Sequence, residues 1–196
     1  MTEPVSTPDS ALSRLAASLE ANDKRKGPPP VERWNPAYCG EIDMRIAIDG
    51  SWHYMGTPIN RPALVRLFST VLRKDPERYV LVTPVERVGI IVEDVPFLAV
   101  EMVVEGKGEA RQIAFRTNVD DLVQVGKDHP LRFEQDRSGG VKPYLRVRGD
   151  LWARVTRTLA LDLVALGEER AIDGELQFGI AADGIFFPIA PAVEVK

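Results

Sequence analysis

Residues 42–49 set the tightest constraint on the fold. Ile42, Met44, Ile46 and Ile48 alternate with Asp43, Arg45, Ala47 and Asp49, the period-2 pattern of a strand with one buried face. Asp49-Gly50 follows, a pair that accepts the positive φ of a two-residue hairpin loop. Ser51 to Met55 then returns as the partner strand. Such a loop predicts Ile48 opposite Ser51, Ala47 opposite Trp52, Ile46 opposite His53 and Arg45 opposite Tyr54. It puts Asp43, Arg45, Trp52 and Tyr54 on the face away from the isoleucines, and His53 on the core side.

Gly56-Thr57-Pro58 ends that strand. Asn60 is placed to cap a helix, with Pro62 in its first turn, where a missing N–H does no harm. Leu64, Leu67, Phe68, Val71 and Leu72 give this helix a wide apolar face, and the spacing carries it to about Lys74, before Asp75-Pro76. Three runs rich in β-branched residues follow, Tyr79 to Val82, Val88 to Val92 and Phe97 to Val104. Glu105-Gly106-Lys107-Gly108 reads as a turn into a strand at 112–116. Thr117 to Val125 reads as a short helix capped by Thr117 or Asn118.

The second half repeats these landmarks. Arg132-Phe133-Glu134-Gln135-Asp136 parallels Arg45 to Asp49, with Ser138-Gly139-Gly140 as the loop and Pro143 to Val147 as the return strand. Gly149-Asp150 opens a helix whose stripe is Trp152, Val155, Leu159, Leu163 and Leu166, ended by Gly167. Strands are predicted at 175–180 and 184–189, and Ala182-Asp183-Gly184-Ile185-Phe186 parallels Glu93-Asp94-Val95-Pro96-Phe97. The expected fold is α/β of the α+β type. Two related β-hairpin–helix–strand units pack together, with antiparallel sheets and one main helix each. The expected boundaries are an N-terminal helix and Pro-rich linker over 1–33, a first unit over 34–105 and a second over 106–196. Within the first segment Leu12, Leu15 and Leu19 mark a helix from Ser10 to Ala21. A basic run, Lys24 to Lys26, and three prolines at 28–30 follow it.

Composition narrows the classes of function. The chain has 196 residues, 44% of them hydrophobic, and a net charge of −4. That is enough apolar material for a core, and it is not the basic balance of a general phosphate-backbone binder. The single cysteine, Cys39, makes no intramolecular disulfide framework. Met1-Thr2-Glu3-Pro4 has neither the basic start nor the apolar run of a signal peptide. No stretch approaches the roughly 18 apolar residues of a membrane span. We expect a cytoplasmic protein that engages neither nucleic acid nor membrane.

Cys39-Gly40-Glu41-Ile42-Asp43-Met44-Arg45-Ile46, with Asp49-Gly50, Trp52, Tyr54, Gly56-Thr57-Pro58-Ile59 and Arg61, resembles the opening of the bacterial domain of unknown function 1285 family. The likeness continues through Leu64-Val65-Arg66-Leu67-Phe68, Tyr79-Val80-Leu81-Val82-Thr83-Pro84-Val85-Glu86 and Val92-Glu93-Asp94-Val95-Pro96-Phe97. It spans roughly residues 34–190 and is most specific over 39–97. The resemblance implies an α/β fold with duplicated motifs and a suggested role in ligand-linked signalling. It brings no established activity and no catalytic residues.

The residues themselves offer little catalytic chemistry. His53 and His129 are the only histidines, with no His-x-x-x-His or His-Glu-x-x-His spacing. No nucleophile elbow, Walker loop or Gly-x-Gly-x-x-Gly fingerprint is present. We therefore expect no metal site, no cofactor and no catalytic set. The candidate binding residues are Asp43, Arg45, Trp52, Tyr54 and Arg61. A guanidinium against two aromatic faces makes a cation–π arrangement worth about 0.5–2 kcal/mol and suits an anionic or planar ligand. Arg132, Tyr144 and Arg146 occupy comparable places in the second copy.

The leading expectation is a non-enzymatic binding or regulatory module for a small, anionic ligand or a protein partner. One alternative is an enzyme with an acid–base site assembled from Asp43, His53, Thr83 or Glu86. Another is a structural protein that forms homo-oligomers through Phe97 to Val104 on an exposed sheet edge.

Overall fold

A computed structural model of the chain describes residues 29–135 and 139–192. The helix expected over Ser10 to Ala21 and the basic run Lys24 to Lys26 lie outside the described residues. The chain divides into two compact units, with the boundary between Glu93 and Asp94. The boundary expected after residue 105 falls instead inside a hairpin of the second unit.

In the N-terminal unit the strands are β1 (Tyr38–Ile46), β2 (Trp52–Tyr54), β3 (Thr57–Pro58), β4 (Leu72–Lys74), β5 (Tyr79–Val82) and β6 (Arg87–Val92), with helix α1 (Pro62–Thr70) between β3 and β4. They form one sheet in the order β3-β2-β1-β6-β5-β4. Each half is an antiparallel meander. The crossover through α1 brings β6 back parallel to β1, because parallel neighbours need a long connection.

The first hairpin closes differently from expectation. Met44 pairs with Tyr54, Arg45 with His53 and Ile46 with Trp52. Ala47 N–H donates to the Ser51 carbonyl and Gly50 N–H to the Ala47 carbonyl, both at 2.9 Å. The loop is thus the three residues Ile48-Asp49-Gly50, with Gly50 left-handed at φ 80°. This is a turn followed by a left-handed residue, stabilised where Asp49 Oδ1 accepts both the amide and the hydroxyl of Ser51. One extra loop residue moves every returning side chain to the opposite face. Trp52 therefore enters the core with Met44 and Ile46, and His53 shares the face of Arg45.

Helix α1 stops at Thr70 rather than near Lys74. The hydroxyls of Ser69 and Thr70 donate back to the carbonyls of Arg66 and Leu67, each at 2.7 Å, a local bond that competes with helix continuation. Leu72 to Lys74 then turn into an edge strand on β5. Arg73 is buried there and donates to the carbonyls of Val31 (2.8 Å) and Trp34 (2.7 Å) and to Asp75 (2.7 Å).

The C-terminal unit holds β7 (Phe97–Glu105), β8 (Gln112–Thr117), β9 (Leu122–Gln124), β10 (Leu131–Gln135), β11 (Val141–Arg148), β12 (Leu151–Val155), helix α2 (Arg157–Ala165), β13 (Glu168–Ile172), β14 (Glu175–Ala182) and β15 (Ile185–Pro191). Six strands run in the order β10-β11-β12-β7-β8-β9, with β12 parallel to β7, and β13-β14-β15 form a separate antiparallel sheet. Two expected helices are corrected here. Residues 117–125 form a turn and strand β9, where the fully buried Thr117 hydroxyl accepts Asp121 N–H at 3.1 Å. Thr83 closes the β5–β6 turn in the same way, accepting Glu86 N–H at 3.1 Å. The helix expected from Gly149-Asp150 begins only at Arg157. Leu151, Ala153 and Val155 are buried on one face of a strand, so period 2 prevails over the 3- and 4-residue steps through Trp152 and Val155.

The fold is therefore predominantly β. The α/β expectation, with antiparallel sheets and one main helix per unit, is corrected by fifteen strands, two mixed sheets and two helices of nine residues each among the described residues. Both units share a meander–helix–meander order. In the N-terminal unit the two meanders join one sheet; in the C-terminal unit they belong to two, and β7 to β9 complete the larger one. Each unit has its own core, Met44, Ile46, Trp52, Phe68 and Leu81 in the first and Phe97, Ile113, Phe115, Leu145 and Leu163 in the second.

Candidate functional site

The residues expected to bind ligand on the first hairpin are not brought together. Asp43 and Arg45 lie on one face of β1. Trp52 is 2% exposed on the other, stacked on Phe68 at 6.4 Å between ring centroids. Tyr54 is half-buried on the Trp52 face, and Arg61 is exposed at the N-cap position of α1. Arg45 Nη1 pairs with Glu93 Oε1 at 2.8 Å, while Glu93 Oε2 accepts the Ile48 amide at 2.8 Å. That pair ties the hairpin loop to the end of β6.

The expected acid–base set is placed as follows. His53 Nε2 sits 2.9 Å from the Ser51 hydroxyl, and its Nδ1 is enclosed without a hydrogen-bond partner among the described residues. Thr83 is fully buried and its hydroxyl serves the turn described above. Among the described residues no group of three or more His, Cys, Asp or Glu is disposed to hold a metal ion.

The arrangement expected on the first hairpin occurs in the second unit. Arg132 on β10 pairs across the sheet with Tyr144 on β11, and Arg146 pairs with Trp152 on β12. The Arg132 guanidinium lies 4.4 Å from the Trp152 ring centroid and 4.9 Å from that of Tyr144. The buried Tyr144 hydroxyl donates to Asp94 Oδ1 at 3.2 Å, and Arg154 Nη1 meets Asp94 Oδ2 at 3.2 Å. Burial, then the neighbouring Asp94 and Glu134 carboxylates, push the Tyr144 phenol up to about 12. It stays a donor at neutral pH.

Arg154 also borders a cleft of about 610 Å³ formed by α2 and the adjoining strands. The size is that of a small-molecule site. Leu98, Val141, Pro143, Val155, Ala160, Leu161 and Val164 supply aliphatic surface, and Lys142, Arg154 and Arg157 supply three cations. Among the described lining residues Thr156 contributes the one hydroxyl. No carboxylate and no aromatic ring is among the described lining residues. Arg154 is committed to Asp94, whereas Lys142 and Arg157 form no side-chain ion pair with any described residue.

Sequence reasoning missed this cleft because no local motif encodes it. Its lining spans Leu98 to Val164 and is assembled by the parallel pairing of β12 on β7 and the return of α2. The available signal was a set of isolated cations, Lys142 and Arg154 beside apolar residues and Arg157 between two threonines.

Comparison with known proteins follows the same two-unit division. Residues 29–95 match the model "Domain of unknown function (DUF1285), N-terminal domain", and residues 96–189 match "Protein of unknown function (DUF1285), C-terminal domain". The crystal structure of a DUF1285 family protein from Silicibacter pomeroyi DSS-3, at 2.50 Å, is 47% identical with a TM-score of 0.82, covering 92% of this chain and 97% of that one. A DUF1285 family protein from Shewanella baltica OS155, at 1.40 Å, is 24% identical with a TM-score of 0.50, covering 63% and 91%, and shares the fold. No curated protein matches this chain. With both family models matched end to end across the two units, this chain belongs to the DUF1285 family.

Proposed function

We propose that this protein is a cytoplasmic, non-enzymatic binding module of regulatory type, and that its ligand is a small anion taken up by the cleft beside α2. One observation carries this reading: three cations gather on an aliphatic cleft whose described lining contains no carboxylate. Attraction between such cations and an anion strengthens where apolar walls displace water, and guanidinium groups match carboxylate or phosphate oxygens in a fork geometry. The hydrophobic walls supply affinity and the cations supply sign selection. The free thiol of Cys39 fits a reducing compartment.

Thermal denaturation with phosphate and with carboxylates of increasing chain length tests the reading. At a hundredfold excess over Kd a bound anion stabilises by about 2.7 kcal/mol, which raises Tm by roughly 5–10 °C for a chain of this size. Replacing Lys142 and Arg157 together by Ala removes that shift. A shift that survives the double substitution, or the absence of any shift, contradicts the reading.

A second reading, self-association, is favoured by β7. Its pairing with β12 ends at Ala99. Beyond that point Val103 is 59% exposed, with Val100 and Val104 each 37% exposed on the same strand. An apolar strand edge is a template for a second copy. Light scattering at high concentration showing a dimer that Val103→Lys dissolves supports it, and a monomer at all concentrations removes it.

A further inference from the structure

The cleft beside α2 has a lining that discriminates between classes of anion. Its described residues present no aromatic ring, so there is no platform on which a nucleobase or other planar group stacks. The two rings nearby, Tyr144 and Trp152, are already covered by the Arg132 guanidinium. Among the described residues no carboxylate or side-chain amide lines it, so the hydroxyls of a sugar find few acceptors there. At about 610 Å³ it exceeds by far the roughly 30 Å³ share of one water, and an inorganic anion leaves the aliphatic walls wet. The walls, and two cations that form no ion pair with any described residue, are complementary to an aliphatic chain with an anionic head.

We infer that the ligand of this cleft is a straight-chain alkyl carboxylate, its head held by Lys142 and Arg157 and its chain against Pro143, Val155, Ala160 and Val164. The inference rests on the anion-cleft reading above and adds the chemical class. Arg154 lies within reach of the same cleft but is paired with Asp94, so Lys142 and Arg157 are the cations whose charge a ligand completes. Leu161, 67% exposed at the mouth, extends the apolar wall toward solvent.

Calorimetric titration of the full chain with butanoate, hexanoate, octanoate and decanoate tests the class, with inorganic phosphate and 1-octanol as the head-only and chain-only probes. Burial of each added methylene is expected to tighten binding about fourfold, and octanoate is expected to bind at least tenfold tighter than either control. Lys142→Gln and Arg157→Gln are each expected to weaken octanoate about tenfold. Leu161→Glu, a change at an exposed position that leaves the core untouched, places a negative charge at the mouth and is expected to abolish carboxylate binding. Affinity that is flat along the series, with phosphate binding as well as octanoate, overturns the alkyl class and leaves the anion-cleft reading standing. Binding of neither phosphate nor any carboxylate, or octanoate binding unchanged in the Lys142→Gln and Arg157→Gln chains, overturns both.

Discussion

Trp52 shows how one side chain can serve packing at the expense of a hydrogen bond. Its ring is sealed against Phe68, yet its indole N–H is enclosed without an acceptor among the described residues. Burying an unpaired donor is unfavourable by about 1–3 kcal/mol. Trp52→Phe keeps a ring on Phe68 and removes the orphan donor, so it is expected to cost less than about 1.5 kcal/mol in urea unfolding. Trp52→Ala opens a cavity and is expected to cost about 3–5 kcal/mol. If the indole bound ligand at an open surface, both substitutions would leave stability nearly unchanged. Tyr144 gives a second test. An unfolded phenol ionises near pH 10, whereas Tyr144 is pushed up to about 12. Below pH 10 both states hold the proton; between about 10 and 12 only the folded state does. Its contribution to stability is thus complete below pH 10 and declines as the pH rises through that window. Phenolate absorbance is expected to show a late-titrating tyrosine whose signal Tyr144→Phe removes. Sequence alone flagged Arg132, Tyr144 and Arg146 as counterparts of the first hairpin. It did not supply Trp152, because that residue sat in a predicted helix and not in the strand that sets it beside Arg132.

At the scale of elements, the strands with strong alternation were legible and the element ends were not. Tyr79–Val82, Arg87–Val92 and Phe97–Glu105 stand where β-branched composition put them, and Gln112–Thr117 where the turn before it led. Both helices were read too long by the same mechanism. Apolar residues at 71–72 and at 151–155 satisfy helical steps, but sheet pairing with β5 and with β7 and β11 captures them. The hairpin register turned on one residue in a loop, which no hydrophobic pattern on a strand flanked by mixed polar residues could decide. Edge strand β4 carries its own prediction. Arg73 joins it to the Val31 and Trp34 carbonyls and to Asp75, whose other oxygen meets Arg87 at 3.1 Å. Arg73→Ala leaves two carbonyls and part of a carboxylate without that donor. It is expected to cost about 2–4 kcal/mol and to expose residues 29–34 to proteolysis first. A loss below about 0.5 kcal/mol would show that the clasp carries no weight.

For the molecule as a whole, the sequence disclosed two related units but not how each is closed. The shared meander–helix–meander order follows from local patterns. The parallel junctions, β1 with β6 and β12 with β7, pair strands far apart in the chain, and the candidate site is a product of the second junction. This is why a search for motifs led to the first hairpin while the candidate cleft lies in the second unit. Among the described residues no helix is long and apolar enough to cross a membrane. A net charge of −4 gives an anion no overall attraction, so the proposed anion selection rests on the local cations of the cleft. The most direct test is amide chemical-shift mapping of the full chain during titration with octanoate. The account predicts saturable shifts concentrated at Lys142, Val155, Arg157 and Val164, with the β1–β2 hairpin unmoved. Shifts centred on Arg45 and Tyr54, or none that saturate, would contradict it.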